Sequence, residues 1–331
     1  AIYRHLIRAE NIIDGGRGKR WNFLEQVDFD LDGRDEMLVE TSWANACVAP
    51  ARGGSLIELD LREFEKNLLG VMSRYEEAYH DDLAAAEQAP AGDGTVSIHD
   101  AMPVKEEGLA DLAVPDVAPR RSAVDRFVEG GLGESGAVDL ARLDLGDFAG
   151  RAYDFSPLRT EDGVGVAMRA SGTVTGRGDA PQADLGKQTD LGKTFTMLTD
   201  GRLRLHWSVG GHVPPGVDFL SEWNLAFLTR DSSYVWLEHG KRKRDLAKVV
   251  LLENVREVTL VDRLSGSNVV LCFEPACALW TAPLETVSQS EGGYERVFQG
   301  VTLAARWPLP EGADESAFML DLRVESNGGT T

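Results

Sequence analysis

The stretch TDLGKTFTMLTDGRLRLHWSVGG, Thr189 to Gly211, decides the fold class. Leu203, Leu205, Trp207 and Val209 alternate with Arg204, His206 and Ser208. Successive strand side chains point to opposite faces, so period-two alternation marks a half-buried strand. Asp200-Gly201 breaks the run, and that dipeptide favours a tight turn. The stretch therefore reads as two long strands joined by a hairpin.

The same signal continues on both sides. VGVAMRASGTVTG, EWNLAFLTR, YVWLEHG, KVVLLENV, EVTLVDR, NVVLCFEP, LETVSQSEGGYERVFQGVTLAARWPL and AFMLDLRVES all read as strands. Gly266-Ser267 and Gly292-Gly293 supply further turns. Nearer the start, EMLVETS, GSLIELDL and KNLLGVM read as the first strands. More than ten strands with almost no helical pattern imply an all-β domain built from two large packed antiparallel sheets. Residues 81–119 are rich in Ala, Gly, Pro and acid with little periodicity, and read as one long loop.

The first twenty residues differ. In AIYRHLIRAENIID, Ile2, Tyr3, Leu6, Ile7, Ile12 and Ile13 make an apolar helical face, with Arg4, Arg8 and Glu10 opposite. No N-cap precedes this helix. We read residues 1–20 as the end of a helical domain plus the connector DGGRGKR, and residues 21–328 as the β-domain. On this reading the chain is a piece of a longer protein; processing of a precursor is the alternative.

Composition narrows the function classes. The 331 residues carry a net charge of −20, so binding to nucleic acid or an anionic membrane would need a local basic patch. The compact basic run KRKR, Lys241 to Arg244, lies between two strand-like runs and reads as a solvated hairpin tip. Three cysteines in an odd, unframed set point to reduced thiols and a cytoplasmic protein. A homodimer is compatible with this sequence but not demanded by it.

Several segments, in order, resemble one family. They are VAPARGGSLIELDLREFEKNLLGVMSRYEEAYH, SIHD, APRRSAVDRFV, EWNLAFL and ETVSQSEGGYERVFQGVTLAARWPL. Together they resemble the C-terminal region of family-57 glycoside hydrolases of the α-amylase/4-α-glucanotransferase type. YRHLIRAEN resembles the last helix of that family's central helical domain. The resemblance implies an all-β, galactose-mutarotase-like supersandwich. It also implies that a retaining pair of carboxylates sits upstream in a barrel, so no catalytic residue carries over onto this chain. The partners it implies are the protein's own catalytic barrel and helical domain. The function it implies is non-catalytic support of an α-1,4-glucan-processing enzyme. An α-glucan-binding module and a mutarotase-like epimerase are the alternatives.

Three sets of residues are candidates for sites. In DFDLDGRDEMLVE, Asp28, Asp30 and Asp32 occupy the first ligand positions of a D-x-D-x-D-G loop, Gly33 turns the chain, and the Arg34 carbonyl and Glu36 could follow. That set suits Ca2+, although Val39 replaces the final acid of a helical calcium loop and a strand follows. A solvated acidic turn is the competing reading. Arg74, Glu77, His80, His99, Arg120 and Asp125 are candidate domain-interface residues. His80 and His99, with Glu76, Glu77 or Asp100, could also imitate a mutarotase proton relay. Trp43 and Trp236 lie beside polar turns and are the candidate platforms for a glucose ring, whereas Trp223 and Trp307 read as core.

Overall fold

A computed structural model describes residues 2–18, 20–88, 106, 108–131, 140–176, 186–290 and 293–327. Helix α1 (Ile2–Asp14) leads into an antiparallel five-stranded sheet. Its strands, in both chain and spatial order, are β1 (Asn22–Val27), β2 (Glu36–Thr41), β3 (Ala44–Ala49), β4 (Ser55–Leu61) and β5 (Lys66–Asn67). A meander of this kind needs only short connections between neighbours.

Helix α2 (Tyr79–Gln88) follows, and then twelve strands joined in one larger antiparallel sheet. These are β6 (Val124–Glu129), β7 (Asp154–Arg159), β8 (Gly163–Gly172), β9 (Thr189–Leu198), β10 (Arg202–Gly211) and β11 (Val217–Ala226). The rest are β12 (Val235–His239), β13 (Arg242–Arg244), β14 (Val250–Asp262), β15 (Ser267–Ser290), β16 (Gly293–Pro308) and β17 (Glu315–Ser326).

The large sheet folds over on itself through its longest strands. The first part of β15, Ser267 to Glu274, pairs with β17, which continues through β10, β9 and β8 to β7. Its second part, Ala278 to Ser290, pairs with β16, which continues to β11 and β6. Strand β14 follows both halves, with register shifts between Leu252 and Glu257 where the ladder bends. Two layers result, sharing β14 and β15.

Aromatic residues fill the space between the layers. Trp207 and Phe318 from one layer meet Trp307 and Phe219 from the other, with the Phe219–Phe318 centroids 5.3 Å apart and Trp207–Trp307 6.1 Å. Trp207, Phe219, Trp223 and Trp307 are all buried, so the expectation of core for Trp223 and Trp307 agrees with the structure.

The opening hairpin is β9–β10, with Gly201 at φ 88° in the turn. Of KRKR, expected as a hairpin tip, only Lys241 lies in the turn; Arg242–Arg244 form β13 itself, paired with β12. Three further expectations need correction. The 81–119 loop includes most of α2 and a 3-10 turn at Ala110–Leu112; residues 89–105 lie outside the described set. KNLLGVM forms strand only at Lys66 and Asn67; Leu68 still bonds the Leu59 and Ala226 backbones, and the Asn67 side chain takes the Leu69 N–H and curls the chain. NVVLCFEP and LETVSQS, expected in separate strands, belong to the single strand β15, which runs through Pro275.

Candidate functional site

The acidic loop connects β1 to β2. Asp28 folds it: its Oδ1 accepts from the Asp32 N–H and its Oδ2 from the Gly33 N–H, both at 3.0 Å. Leu31 and Gly33 have φ of 60° and 86°, so the chain turns sharply twice. Asp32 accepts from the Arg34 N–H at 2.9 Å. Arg34 is exposed and lies outside the carboxylate cluster. Arg52, from the turn Pro50–Arg52, reaches across and pairs with Asp30 at 2.8 Å and with Asp32. Carboxylate oxygens from Asp28, Asp30 and Glu36 lie within 4.8 Å of one another. Asp32 is not part of that trio, and its bond to Arg52 keeps its carboxyl below the ordinary range.

Glu36 opens β2 and is buried. One of its oxygens accepts from the Phe29 N–H at 3.1 Å, while Oε1 is buried without a partner. Burial, reinforced by Asp30 and Asp32, pushes its carboxyl upward. Sequence alone placed the acids of this loop, but Arg52 was missed: it lies on a separate turn, and no local pattern links it to the loop.

Helix α1 docks on the small sheet by one face. At 100° per residue, Tyr3, Ile7, Glu10, Asn11 and Asp14 share a side. Tyr3 bonds Glu58, Glu10 accepts from Asn45, and Asn11 and Asp14 both engage Arg62. Ile2, Leu6 and Ile13 form a separate stripe, and all three are exposed. Between α1, the small sheet and β10 lies a cleft of about 870 Å³. Half-buried Trp43 lines it, donating its Nε1–H to the Leu198 carbonyl at 3.1 Å, beside Phe64, Arg62, Glu63, Asp200 and Arg202. Trp21 also lines the cleft, but the Arg62 and Arg17 guanidinium groups lie over its ring at 4.7 and 5.1 Å.

Trp236 does not provide the sugar platform expected of it. It is 4% exposed, with the Lys243 ammonium 3.7 Å from its ring centroid and Arg263 at 4.9 Å. The alternating run that placed it beside a polar turn turned its ring inward under those cations.

The interface candidates separate into three groups. Arg74 and Arg120 converge on Asp116, which accepts from both guanidinium groups at 2.6 to 3.0 Å. Sequence reading named both arginines and missed the carboxylate between them. Glu77 is exposed, and its N–H donates to His80 Nδ1 at 3.3 Å. Asp125 is corrected from interface to core: it is fully buried, paired with Lys193 at 2.9 Å, and accepts from Trp207 Nε1 and the Tyr153 hydroxyl. It faces inward because β6 alternates, and Phe127 on the same side also enters the core. His99 and Asp100 lie outside the described residues.

Comparison with known proteins places this architecture. The fold is that of the galactose-mutarotase-like β-sandwiches. A galactose mutarotase-like protein from Clostridium acetobutylicum superposes with a TM-score of 0.51 over 93% of this chain and 99% of its own, at 9% identity. Residues 28–320 match the family described as Alpha-amylase/4-alpha-glucanotransferase, C-terminal, and the chain belongs to that family. It is 30% identical over 309 residues to alpha-amylase 1 of Dictyoglomus thermophilum, covering 92% of this chain and 41% of the relative. It is 27% identical to the 4-alpha-glucanotransferase of Thermococcus kodakarensis, covering 93% and 41%. The crystal structure of the Thermococcus litoralis 4-alpha-glucanotransferase superposes with a TM-score of 0.70 at 23% identity, over 97% of this chain and 41% of that one. The chain thus spans about two fifths of the length of these relatives. No helix among the described residues is long and apolar enough to cross a membrane.

Proposed function

We propose that this chain is the non-catalytic β-sandwich of an α-1,4-glucan-processing enzyme of the 4-α-glucanotransferase or α-amylase kind. Family membership over residues 28–320, within relatives more than twice as long, carries this reading. On it, residues 1–20 close a helical domain and residues 21–328 form the sandwich. The exposed stripe Ile2, Leu6 and Ile13 then packs against neighbouring helices. A second contact patch is Met72, Tyr75 and Val117, exposed and flanking the Arg74–Asp116–Arg120 cluster. The three free cysteines support a reducing compartment, for which we take the cytoplasm.

The direct test is incubation of the purified chain with amylose. Neither new reducing ends nor redistributed chain lengths are expected, and either product would overturn the non-catalytic reading. Contact with α-glucan is a second reading, favoured by the Trp43 cleft. A half-buried indole beside forked, planar side chains suits a sugar, whose C–H face packs on the ring while its hydroxyls meet the forks. Affinity electrophoresis in glycogen checks it: retardation lost in Trp43→Ala supports contact, and unretarded wild-type protein refutes it.

A further inference from the structure

We propose that the loop between β1 and β2 is a binding site for a hard divalent cation, with Ca2+ as its fitting ligand. Asp28, Asp30 and Glu36 are the protein ligands. A carboxylate oxygen from each lies within 4.8 Å of the other two, close enough to surround one ion. The donors are all oxygen, which selects calcium-like ions over softer transition metals.

Proximity of acids alone would not carry this, because exposed carboxylates gather in turns without any ion. Glu36 supplies the independent observation. It is buried, and its Oε1 has no hydrogen-bond partner among the described residues. Buried carboxylate oxygens are normally satisfied, and one that is not needs a proton or a cation. The remaining ligands have capacity left. Asp28 spends one lone pair of each oxygen on the N–H groups of Asp32 and Gly33. Asp30 spends Oδ2 on Arg52. Each carboxylate oxygen carries two lone pairs, so an ion can share them without breaking the loop.

Arg52 is the competitor already in place, and its reach decides the issue. It pairs with Asp30 and Asp32 but has no bond to Asp28 or Glu36. Five carboxylates lie between positions 28 and 36, opposed by Arg34 within the loop and Arg52 across it. Arg52 thus neutralises the outer side; Arg121 acts on Asp30 and Glu36 only through space, and no group among the described residues bonds Glu36 Oε1. An ion there would tie the start of β2 to the loop and, through Arg52, to the turn after β3, bracing the small sheet rather than taking part in chemistry.

Thermal melting of the purified chain in CaCl2 and in EGTA tests the site. A ligand that binds only the folded state, at a hundredfold excess over its Kd, raises the Tm of a chain this long by about 4 °C. The proposal expects a rise of that size in Ca2+, reversed by EGTA, and one ion per chain by titration calorimetry. Glu36→Gln and Asp30→Asn should abolish the shift, and Asp231→Asn, on a distant exposed turn, should keep it. Asp30 is exposed, so its variant keeps the test open if Glu36→Gln fails to fold. Equal Tm in Ca2+ and EGTA with no binding heat would overturn the site and leave Glu36 as a buried neutral acid. An undiminished shift in both loop variants would overturn it as well.

Discussion

Replacing Asp125 by Asn tests whether the core of this sandwich is held by a buried ion pair. Lys193 on β9 and Asp125 on β6 meet at 2.9 Å with neither side chain exposed. Burial pushes the Asp125 carboxyl up and the Lys193 ammonium down, each against the pull of its partner. Asp125→Asn keeps the shape; its amide oxygen in the Oδ1 position can still accept from Trp207, while the amide NH2 in the Oδ2 position can donate to the Tyr153 hydroxyl. It leaves a buried ammonium without a counter-charge, which costs about 3–5 kcal/mol. Unfolding entropy for 331 residues, at roughly 2.1 cal/mol/K each, is about 0.7 kcal/mol/K. The expected fall in Tm by calorimetry is therefore about 4–7 °C. Lys193→Met should fall less, since Asp125 retains its Trp207 and Tyr153 donors and can take up a proton. The double variant carries no buried charge and should melt above Asp125→Asn. A Tm for Asp125→Asn within about 1 °C of wild type would refute the reasoning. A double variant that loses the full sum of the two singles would refute it too, since residues in contact couple.

Asp60, pushed up to about 7 by burial and by Glu58 and Glu10, supplies the pH dependence. Its folded value exceeds its unfolded one, so its contribution is complete below the ordinary carboxylate value and is lost as pH rises through 7. Asp60→Asn should accordingly raise Tm most at pH 8, less at pH 5 and least near pH 3; lowered Tm at pH 8 would contradict this. Asp116 is the opposite case. Burial would raise it, but Arg120 and Arg74 more than offset that and hold it low, so its contribution is present at neutral pH and lost in acid. Asp116→Ala should cost about 1.5–3 kcal/mol at pH 7, seen as a Tm drop of about 2–4 °C that closes on acidification. Gly165 on β8 is the last: a Cβ there would stand 1.8 Å from the Phe195 carbonyl oxygen of the paired strand. Gly165→Ala should lose more than ~2 kcal/mol, and wild-type melting would show that the strands can part.

Strand identity was legible where one face of a strand meets the core and the other meets solvent. In β10 the buried Leu203, Leu205, Trp207 and Val209 alternate with outward residues, and the sequence states that alternation openly. In β11 both faces are covered, every residue from Val217 to Leu225 is buried, and alternation no longer marks the strand's limits. β1 fails for the reverse reason: none of its six residues is fully buried, so NFLEQV carries no pattern. The long strand β15 reads in sequence as two runs, one ending at Pro275 and the next beginning at Leu284, and proline usually interrupts a ladder. Here it falls where the strand leaves β17 for β16, at the fold between layers. Sites were legible only as far as local spacing reaches. The acids of the 28–36 loop are neighbours in sequence, whereas Arg52 and the Asp125–Lys193 pair are brought together only by tertiary packing.

The outer face of β6, β11 and β16 bears on whether this fold catalyses anything here. That face is rich in polar groups and is bordered by a cavity of about 300 Å³. A general base needs a lone pair that a substrate can reach, and Glu222 is buried. Glu222 gives one oxygen to Arg126 Nε at 2.7 Å and the other to Asn224 at 3.0 Å. Asp144 accepts from Arg126 and from the N–H groups of Phe127 and Gly146. Asp116 is held between Arg74 and Arg120, and Arg120 also donates to Thr302 at 3.3 Å. Burial moves the Asp144 carboxyl up to about 6, a value that would suit an acid–base group in a substrate pocket. Its partners are all internal, however, so the proton it takes near that pH weakens an ion pair instead of reaching a ligand. Glu222 cross-links β11 to β6 and Asp144 ties a loop to β6, while Asp116 joins the segments that carry Arg74 and Arg120. The same charges that would make a mutarotase-like pocket reactive are therefore spent on one another and stiffen this face.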